Sequence, residues 1–170
     1  MTAPNLSASQ IIAALALNPH PEGGYYKETY RSPEQVKREA LPERFDGGRS
    51  FCTGIYYLLE AGDFSAFHRI KSDEMWHFYG GGPLELHLLH NGAHIQVFIG
   101  PDVIKGHYPQ FVVPAGAWFA SRPAVKAAYS FVGCTVSPGF DFADFEMARR
   151  EVLLEEYRGQ ESMIRSLTRE

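Results

Sequence analysis

The feature that most constrains the fold is a succession of short β-type segments between Phe51 and Val136, separated by turn residues. Asn91-Gly92 lies between two of them and is the strongest short signal for a β-hairpin. A further strand is predicted over Tyr25–Arg31, where aromatic residues and threonine cluster. Sixteen glycines and eleven prolines agree with frequent turns. Roughly eight or nine short strands with such turns predict a β-sandwich or barrel.

A helix is predicted on each side of this β region. Ser7 and Gln10 have the spacing of a capping box, and the apolar residues that follow share one helical face. Asn18-Pro19 is expected to end this first helix. Asp141 can cap a second helix that extends to about Tyr157. The predicted architecture is therefore a β-barrel with one N-terminal and one C-terminal helix.

Composition and charge exclude several classes of protein. The 170 residues suit one domain, taken as 1–170, and their net charge of −4 is mixed, without the basic stripe of a nucleic-acid-binding protein. No apolar run approaches the roughly 18 residues that span a membrane, and no basic segment precedes the apolar N-terminal stretch as in a signal peptide. Cys52 and Cys134 favour free thiols in a reducing compartment over a disulfide. A cytoplasmic protein without nucleic-acid or membrane partners is predicted.

One segment, residues 62–81, carries the candidate site. His68 and Glu74 lie on successive predicted strands joined by a short turn, so the carboxylate can lie across from the imidazole. Such a pair suits metal ligation or proton transfer, because a carboxylate orients an imidazole and favours its charged form. The plainer alternatives are a core histidine bonded to a neighbour and a carboxylate in a solvated turn. We take His68 and Glu74 as the candidate catalytic residues.

Six further side chains are predicted to contact a ligand: His77, Trp76, Phe78, Trp118, Phe119 and Tyr25. Trp76 and Phe78 share the parity of Glu74 along a strand and would face the interior, although core packing explains them equally well. His77 has the opposite parity and reaches the interior only if a β-bulge intervenes. The histidines of the predicted hairpin and of the loop after it are expected at the surface: His87, His90, His94 and His107.

The spacing within the candidate segment resembles a known motif. Gly62, His68, Glu74 and Gly81 stand as in the first motif of the cupin superfamily, with Ile70 at the position of its second histidine. Pro114-Ala-Gly116-Ala-Trp-Phe119 resembles the second motif, with Phe119 where the last histidine ligand would be. The resemblance implies that two of the four usual metal ligands are absent. Two ligands are too few for zinc, iron or manganese unless other groups join them.

A closer resemblance covers nearly the whole chain. It includes the segments His20-Pro21-Glu22-Gly23-Gly24-Tyr25-Tyr26, Thr53 to Leu59, Ser72-Asp73-Glu74-Met-Trp76-His77 and Pro138-Gly139-Phe140-Asp141-Phe142. These are similar to one small family, the fifth cupin family, a domain of unknown function. The resemblance implies an all-β cupin double-stranded β-helix, a jelly-roll barrel, and a homodimer. It implies no reaction, although related barrels include sugar-nucleotide epimerases that work without metal and use a histidine base.

Three function hypotheses follow. The first is an enzyme of epimerase or isomerase type that needs no metal or other cofactor and acts on a small polar molecule such as a sugar derivative. His68 would be its general base, oriented by Glu74. The second is a non-catalytic small-molecule-binding or storage-like cupin. The third is a metal-dependent cupin with a reduced ligand set, in which His68, Glu74 and water, with His77 as an additional ligand, hold the metal.

Overall fold

The computed structural model describes residues 6–169, and residues 1–5 and 170 of the predicted domain lie outside the described part. The helices are α1 (Ala8–Leu15), α2 (Arg150–Glu156) and α3 (Glu161–Ser166). The strands are β1 (Asn18–Pro19), β2 (Tyr25–Arg31), β3 (Gln35–Val36), β4 (Arg49–Ser50), β5 (Thr53–Glu60), β6 (Ser65–Arg69), β7 (Asp73–Gly81), β8 (Leu84–His90), β9 (Ala93–Ile99), β10 (Gln110–Val113), β11 (Trp118–Pro123), β12 (Tyr129–Ser137) and β13 (Glu146–Met147). None of the helices found within residues 6–169 has the length and apolar character needed to cross a membrane.

Two antiparallel sheets form the barrel. One has the strand order β1-β2-β5-β12-β7-β10, and the other has the order β13-β6-β11-β8-β9. The main apolar core lies inside, and its fully buried side chains include Tyr57, Leu59, Trp76, Leu86 and Phe119. Side chains alternate along each strand, so the opposite faces of the sheets are available to the helices. The predicted β-barrel with a helix at each end is confirmed.

The predicted hairpin is present where β8 and β9 pair. The ladder ends with His90 opposite Ala93, which leaves Asn91-Gly92 as a two-residue loop. Asn91 has a φ of 50° and Gly92 a φ of 75°, the left-handed values that a type I′ turn requires at both positions. Asparagine and glycine adopt these values more readily than other residues, so this dipeptide sets the register of the hairpin.

The N-terminal helix α1 has the predicted capping box. The Ser7 hydroxyl accepts a hydrogen bond from the Gln10 N–H at 3.3 Å, and the Gln10 side-chain oxygen accepts one from the Ser7 N–H at 2.9 Å. Ala8 and Ile11 are buried in one cluster with Leu58 of β5. The helix thus covers part of the outer face of the six-stranded sheet.

The C-terminal helix begins later than the sequence predicts. The expected helix from Asp141 to Tyr157 is wrong over its first part, where residues 142–144 form a 3-10 turn capped by the Asp141 side chain. β13 then pairs with β6, and α2 starts only at Arg150. Beyond that point α2 and α3 cover the outer face of the five-stranded sheet with Leu153, Ile164 and Leu167.

A buried ion pair explains the interrupted helix. Arg49 Nε and Nη2 donate to the two Asp144 carboxylate oxygens at 2.6 and 2.5 Å. Only 5% of the Arg49 side chain and 3% of the Asp144 side chain are exposed. Because an unpaired charge is costly inside a protein, Asp144 is held against β4 and the segment around it cannot wind into a regular helix there.

Removing one member of this ion pair should destabilise the fold. Replacing Asp144 with Ala leaves the Arg49 guanidinium buried without its counter-charge, and we expect the free energy of unfolding to fall by about 3–5 kcal/mol. Urea denaturation followed by circular dichroism measures the change. In the control, Asp46→Ala removes an exposed carboxylate that accepts from Lys71 Nζ at 2.6 Å, and the midpoint should stay near that of the wild type. Equal losses in both variants would contradict this role of Asp144.

Candidate functional site

A cavity of about 300 Å³ opens into the barrel interior. Aromatic rings form much of its wall: Tyr26, Tyr57, Phe140, Phe142 and Phe145. Its acid–base groups include His20, Glu22, His68, Glu74 and Cys134. Strands of both sheets contribute these side chains, together with the loop after β1 and the segment 140–145. The cavity therefore rests mainly on the rigid barrel.

His68 and Glu22 form a hydrogen-bonded pair in this cavity. His68 lies on β6, and its Nδ1 is 2.7 Å from the Ala66 carbonyl oxygen, which can only accept, so Nδ1 carries a proton. His68 Nε2 is 3.0 Å from Glu22 Oε2, and 3% and 8% of the two side chains are exposed. One proton must lie in this second contact. The pair is therefore either an imidazolium with a carboxylate or a neutral imidazole with a carboxyl group.

Backbone contacts anchor the loop that carries Glu22. The Ala66 N–H donates to the Glu22 carbonyl oxygen at 2.9 Å, which ties the loop to β6. The Tyr57 hydroxyl donates to the Gly23 carbonyl oxygen at 2.6 Å, which ties it to β5. Burial, and after it the charge of Glu22, raises the pKa of Tyr57 well above its usual value. Tyr57 therefore remains a protonated donor, and Glu22 is held beside His68.

His20 flanks the pair from the same loop. The Glu22 N–H donates to His20 Nδ1 at 3.3 Å, and Glu22 Oε2 lies 3.5 Å from the same nitrogen. Burial has the largest effect on His20 and lowers its pKa, while the charge of Glu22 acts in the opposite direction. A neutral ring that accepts at Nδ1 agrees with this. The ring packs edge-on against Tyr26 with centroids 4.5 Å apart and stacks on Phe142 at 6.3 Å.

Glu74 is a further acidic group of the cavity, and it is uncharged at neutral pH. It projects from β7, and 7% of the residue is exposed. Burial raises the pKa of its carboxyl to about 8, the charge of Glu22 adds to this rise, and a hydrogen bond with Cys134 opposes it. Burial raises the pKa of the Cys134 thiol well above its usual value, and the nearby Glu74 raises it further. The cavity therefore holds a protonated carboxyl group beside a protonated thiol.

Arg31 lines the solvent-facing side of the cavity, and its guanidinium is already paired. Its Nε and Nη2 donate to the two Glu28 carboxylate oxygens at 3.1 and 2.7 Å. Its Nη1 donates to the Phe140 carbonyl oxygen at 3.0 Å. The side chain is 43% exposed, which places it at the rim. Arg31 and Glu28 thus form a neutral pair that also fastens the segment beginning at Phe140.

Both predicted catalytic residues line the cavity, but their partners differ from those expected. The contact that orients His68 comes from Glu22, and Glu74 hydrogen-bonds with Cys134 instead. Both ring nitrogens of His68 are occupied in this arrangement, by Ala66 and by Glu22, so neither is free to accept a proton from a ligand. The expectation that Glu74 orients a His68 base is corrected accordingly.

Three predicted wall residues belong to the core next to the cavity. The ring centroids of Phe119 and His68 are 4.1 Å apart, so Phe119 supports the imidazole from within the core. Trp76 is fully buried and meets Phe119 edge-on at 6.2 Å. Phe78 packs against the same core cluster. Core packing, the stated alternative for Trp76 and Phe78, accounts for both of them, and Phe119 belongs to the same core cluster.

The structure does not bring Tyr25, His77 and Trp118 to the cavity. Along β2, Tyr25 packs in the cluster with α1 while Tyr26 lines the cavity, since neighbouring strand residues point to opposite sides. His77 Nε2 lies 2.9 Å from Thr135 Oγ1, and the bulge between β7 and β12 comes only after it, at residues 131–132. Trp118 packs with α2 and α3.

The expected surface placement is wrong for His87, and His90, His94 and His107 are half-buried. His87 is only 3% exposed. Its Nε2 lies 2.9 Å from Glu85 Oε1, and its Nδ1 lies 3.0 Å from His94 Nε2. Arg122 donates to the same Glu85 carboxylate at 2.9 Å. This hydrogen-bonded network satisfies the buried polar groups, which is why His87 is tolerated away from water.

Sequence reasoning missed Glu22, His20 and the three phenylalanines of residues 140–145. A signal for the first two was available, because His20-Pro21-Glu22-Gly23-Gly24 is among the segments that carry the family resemblance. His20 and Glu22 lie in a glycine-rich loop, and His68 lies on a strand far along the chain. Only the tertiary fold brings the loop next to that strand, so the sequence alone could not pair them. Phe142 and Phe145 are predicted to lie in the first turns of a helix, and the interrupted helix places them, with Phe140, on the cavity wall instead.

The residues present do not fit the metal site that the cupin resemblance implies. Ile70 and Phe119 occupy two ligand positions, and His68 directs one nitrogen to a carbonyl and the other to Glu22. His77 does not line the cavity. Across residues 6–169, no three His, Cys, Asp or Glu side chains are placed so that they could hold a metal ion. The three side chains of the third hypothesis, His68, Glu74 and His77, are therefore not brought together as metal ligands.

Comparison with known proteins identifies relatives of the chain. The model of a family described as cupin superfamily (DUF985) matches residues 9–148. An uncharacterized protein of Saccharomyces cerevisiae is 31% identical over 171 residues, which cover 95% of this chain and 85% of the yeast protein. The structure of a hypothetical protein from Leishmania major has a TM-score of 0.88 and 36% identity, over 97% of this chain and 100% of that one. A cupin 2 domain-containing protein from Halorhodospira halophila, at a TM-score of 0.54 and 14% identity over 90% of this chain and 88% of that one, shares the fold alone.

The raised pKa of Glu74 should make stability depend on pH. The unfolded carboxyl ionises near its ordinary value of 4.5, whereas the folded one keeps its proton up to about pH 8. The folded state holds the extra proton in this window, so the free energy of unfolding falls as pH rises, by at most about 1.4 kcal/mol per pH unit. Glu74→Gln cannot ionise, and this contribution should disappear. Urea denaturation at about pH 6 and pH 9 measures the difference.

Glu60→Gln is the matched control, because Glu60 lies at the end of β5 and does not line the cavity. This variant should keep the pH dependence of the wild type. Parallel pH dependences of the wild type and Glu74→Gln would show that Glu74 is already ionised in the folded protein.

Proposed function

The chain belongs to the cupin superfamily, in the family of unknown function DUF985, and we propose that it binds a small polar molecule inside the barrel and transfers a proton at one of its carbon atoms, as an isomerase or epimerase does. The observation that carries the proposal is the 3.0 Å contact between His68 Nε2 and Glu22 Oε2 within an aromatic cavity. A barrel of this kind hosts many unrelated functions, so the proposal rests on this site and not on the fold.

Glu22 is the proposed proton acceptor, and His68 is its positioning residue. Each His68 nitrogen already has a partner, whereas Glu22 keeps oxygen lone pairs that can face a bound molecule. The pair holds one shared proton and is neutral overall in either form. When Glu22 takes a second proton from a ligand, the pair gains one positive charge, which balances the negative charge left on the ligand.

The aromatic wall favours proton transfer because it limits water around the pair. Rings of Tyr26, Phe140, Phe142 and Phe145 line the cavity, and the His68 ring lies 5.2 Å from that of Phe145. In such surroundings a developing charge interacts more strongly with nearby charges and hydrogen-bond donors than it does in water. The site therefore combines a fixed carboxylate, Glu22, with surroundings in which electrostatic interactions are weakly screened by water.

Exchange of carbon-bound hydrogen tests the proposal. The protein is incubated with monosaccharides and small ketones in D2O, and the loss of C–H signals is followed by proton NMR. We expect exchange in the wild type, and a loss of about 10²–10⁴-fold in Glu22→Gln, since this is the usual contribution of a general base. His68→Ala should lose less, and added imidazole should restore part of the rate by renewing the contact with Glu22. A purely structural role of His68 would give no such recovery.

Two variants outside the cavity serve as controls. Glu60→Gln and His90→Gln change the same residue types at the ends of β5 and β8 and should exchange at the wild-type rate. Thermal-shift measurements on the same compounds separate binding from turnover. Stabilisation of the wild type without any exchange would favour the non-catalytic binding protein. Equal exchange in Glu22→Gln and wild type would remove Glu22 from the reaction.

A further inference from the structure

We infer that Glu74 donates a hydrogen bond to the carbonyl oxygen of the ligand, and that the ligand is an uncharged carbonyl compound of monosaccharide size. This inference rests on the proposed proton transfer and names its substrate class. It assigns Glu74 a role separate from that of His68. Three observations support the inference. Glu74 lies in the cavity, its polar neighbour there is the Cys134 thiol, and the charged side chains around the cavity are already paired with one another.

The neighbour of Glu74 leaves its own proton available. Cys134 lies on β12, and its thiol keeps a proton that it can donate to one oxygen of the Glu74 carboxyl group. A protonated carboxyl group has one O–H donor, and a carboxylate has none. Glu74 and Cys134 both line the cavity, and the thiol can occupy only one oxygen of the carboxyl group, so the O–H of Glu74 is available to a bound molecule. A ligand oxygen that accepts a hydrogen bond is the complement of this donor.

The charges around the cavity argue against an anionic ligand. Among the described residues that line it, Arg31 is bound through both Glu28 oxygens. Burial keeps His20 neutral, and His68 is committed to Glu22. An anion would therefore enter a poorly solvated space without an unpaired counter-charge, which is strongly unfavourable.

A cationic ligand fits no better. Its counter-charge would have to be Glu22, which already serves His68, Glu28, which is paired with Arg31, or Glu74, which would first have to lose its proton. An uncharged molecule requires neither change.

The volume of the cavity limits the size of the ligand. About 300 Å³ corresponds to roughly ten water molecules at their share of liquid volume, about 30 Å³ each. A monosaccharide or another small ketone or aldehyde fits this space.

The two acidic groups then act on one ligand in a balanced step. Glu22 removes a proton from the carbon next to the carbonyl, and the C–H electron pair forms a C=C bond while the C=O π pair moves to oxygen. That oxygen accepts the hydrogen bond of Glu74, which stabilises the developing negative charge. A carboxylic acid kept neutral by an apolar site is a known donor for this purpose. Glu22 then returns the proton to the former carbonyl carbon, while Glu74 gives its proton to the enolate oxygen and takes one from the neighbouring hydroxyl group, which completes an isomerisation with both carboxyl groups restored.

Matched compounds and two variants test the inference. Dihydroxyacetone and D-fructose are compared with their monophosphates in the D2O exchange assay, in wild type, Glu74→Gln and Glu74→Leu. We expect exchange on the uncharged members only. Glu74→Gln keeps an N–H donor and should stay within about tenfold of the wild type, whereas Glu74→Leu should lose about 10²–10³-fold, as for the loss of an oxyanion donor. Equal rates in wild type and Glu74→Leu would overturn the role of Glu74.

Infrared difference spectroscopy keeps the test independent of turnover and of the folding of Glu74→Leu. The wild type at about pH 7 should show a protonated carboxyl band that is missing in Glu74→Gln, and uncharged ketones should shift it. An ionised Glu74 would overturn the inference even if exchange persists. Exchange on the phosphates alone would overturn the substrate class and leave the proton transfer standing. A band shifted by ketones without any exchange would support the donor and the ligand class and contradict the proposed catalysis. No exchange and no shift would overturn the inference.

Discussion

The buried ion pair between Arg49 and Asp144 fixes the segment that forms one wall of the cavity. Asp144 stands between Phe142 and Phe145, so its attachment to β4 places both rings on the cavity wall. The same attachment brings β13 against β6, the strand that carries His68. Burying either Arg49 or Asp144 without the other would leave an unpaired charge in the protein interior, which is strongly unfavourable. Their mutual attraction therefore determines the path of the chain across the mouth of the barrel.

Two apolar substitutions change what the remaining polar groups of the cavity can do. Where the cupin motifs place histidines, this chain has Ile70 and Phe119, so a metal lacks half of its usual ligands. His68 is then free to bond with Glu22, and the same loss of polarity keeps Glu74 protonated. In place of a full set of metal ligands, the cavity holds a His68–Glu22 pair and a carboxyl group whose pKa is raised by burial.

The sequence predicts those parts of the fold that depend on local chemistry. The capping box at Ser7, the hairpin at Asn91-Gly92 and the strand Tyr25–Arg31 all appear at the expected positions. Strand alternation also explains why Trp76 is buried beside Glu74. Each of these rests on residues close together in the chain, where turn preference and side-chain parity decide the outcome.

Contacts between distant segments account for the rest. Neither parity nor spacing could pair Glu22 with His68, because a loop and a strand meet there only after the barrel has formed. The expected start of the C-terminal helix failed because Asp144 binds Arg49 from far along the chain. Alternation along β2 sends Tyr25 and Tyr26 to opposite sides but does not say which of them faces inward; the packing of Tyr25 against α1 leaves Tyr26 on the cavity wall.

The exposed ring at the cavity mouth bears on how fast a molecule can come and go. Phe142 lines the cavity although 54% of it is exposed, and the backbone beside it is fixed by Asp144 and by β13. A rotation of an exposed side chain takes picoseconds to nanoseconds, whereas the opening of a lid takes microseconds or longer. A turn of this ring leaves the backbone attachments at Asp144 and β13 intact, so the mouth can widen without the wall behind it coming apart.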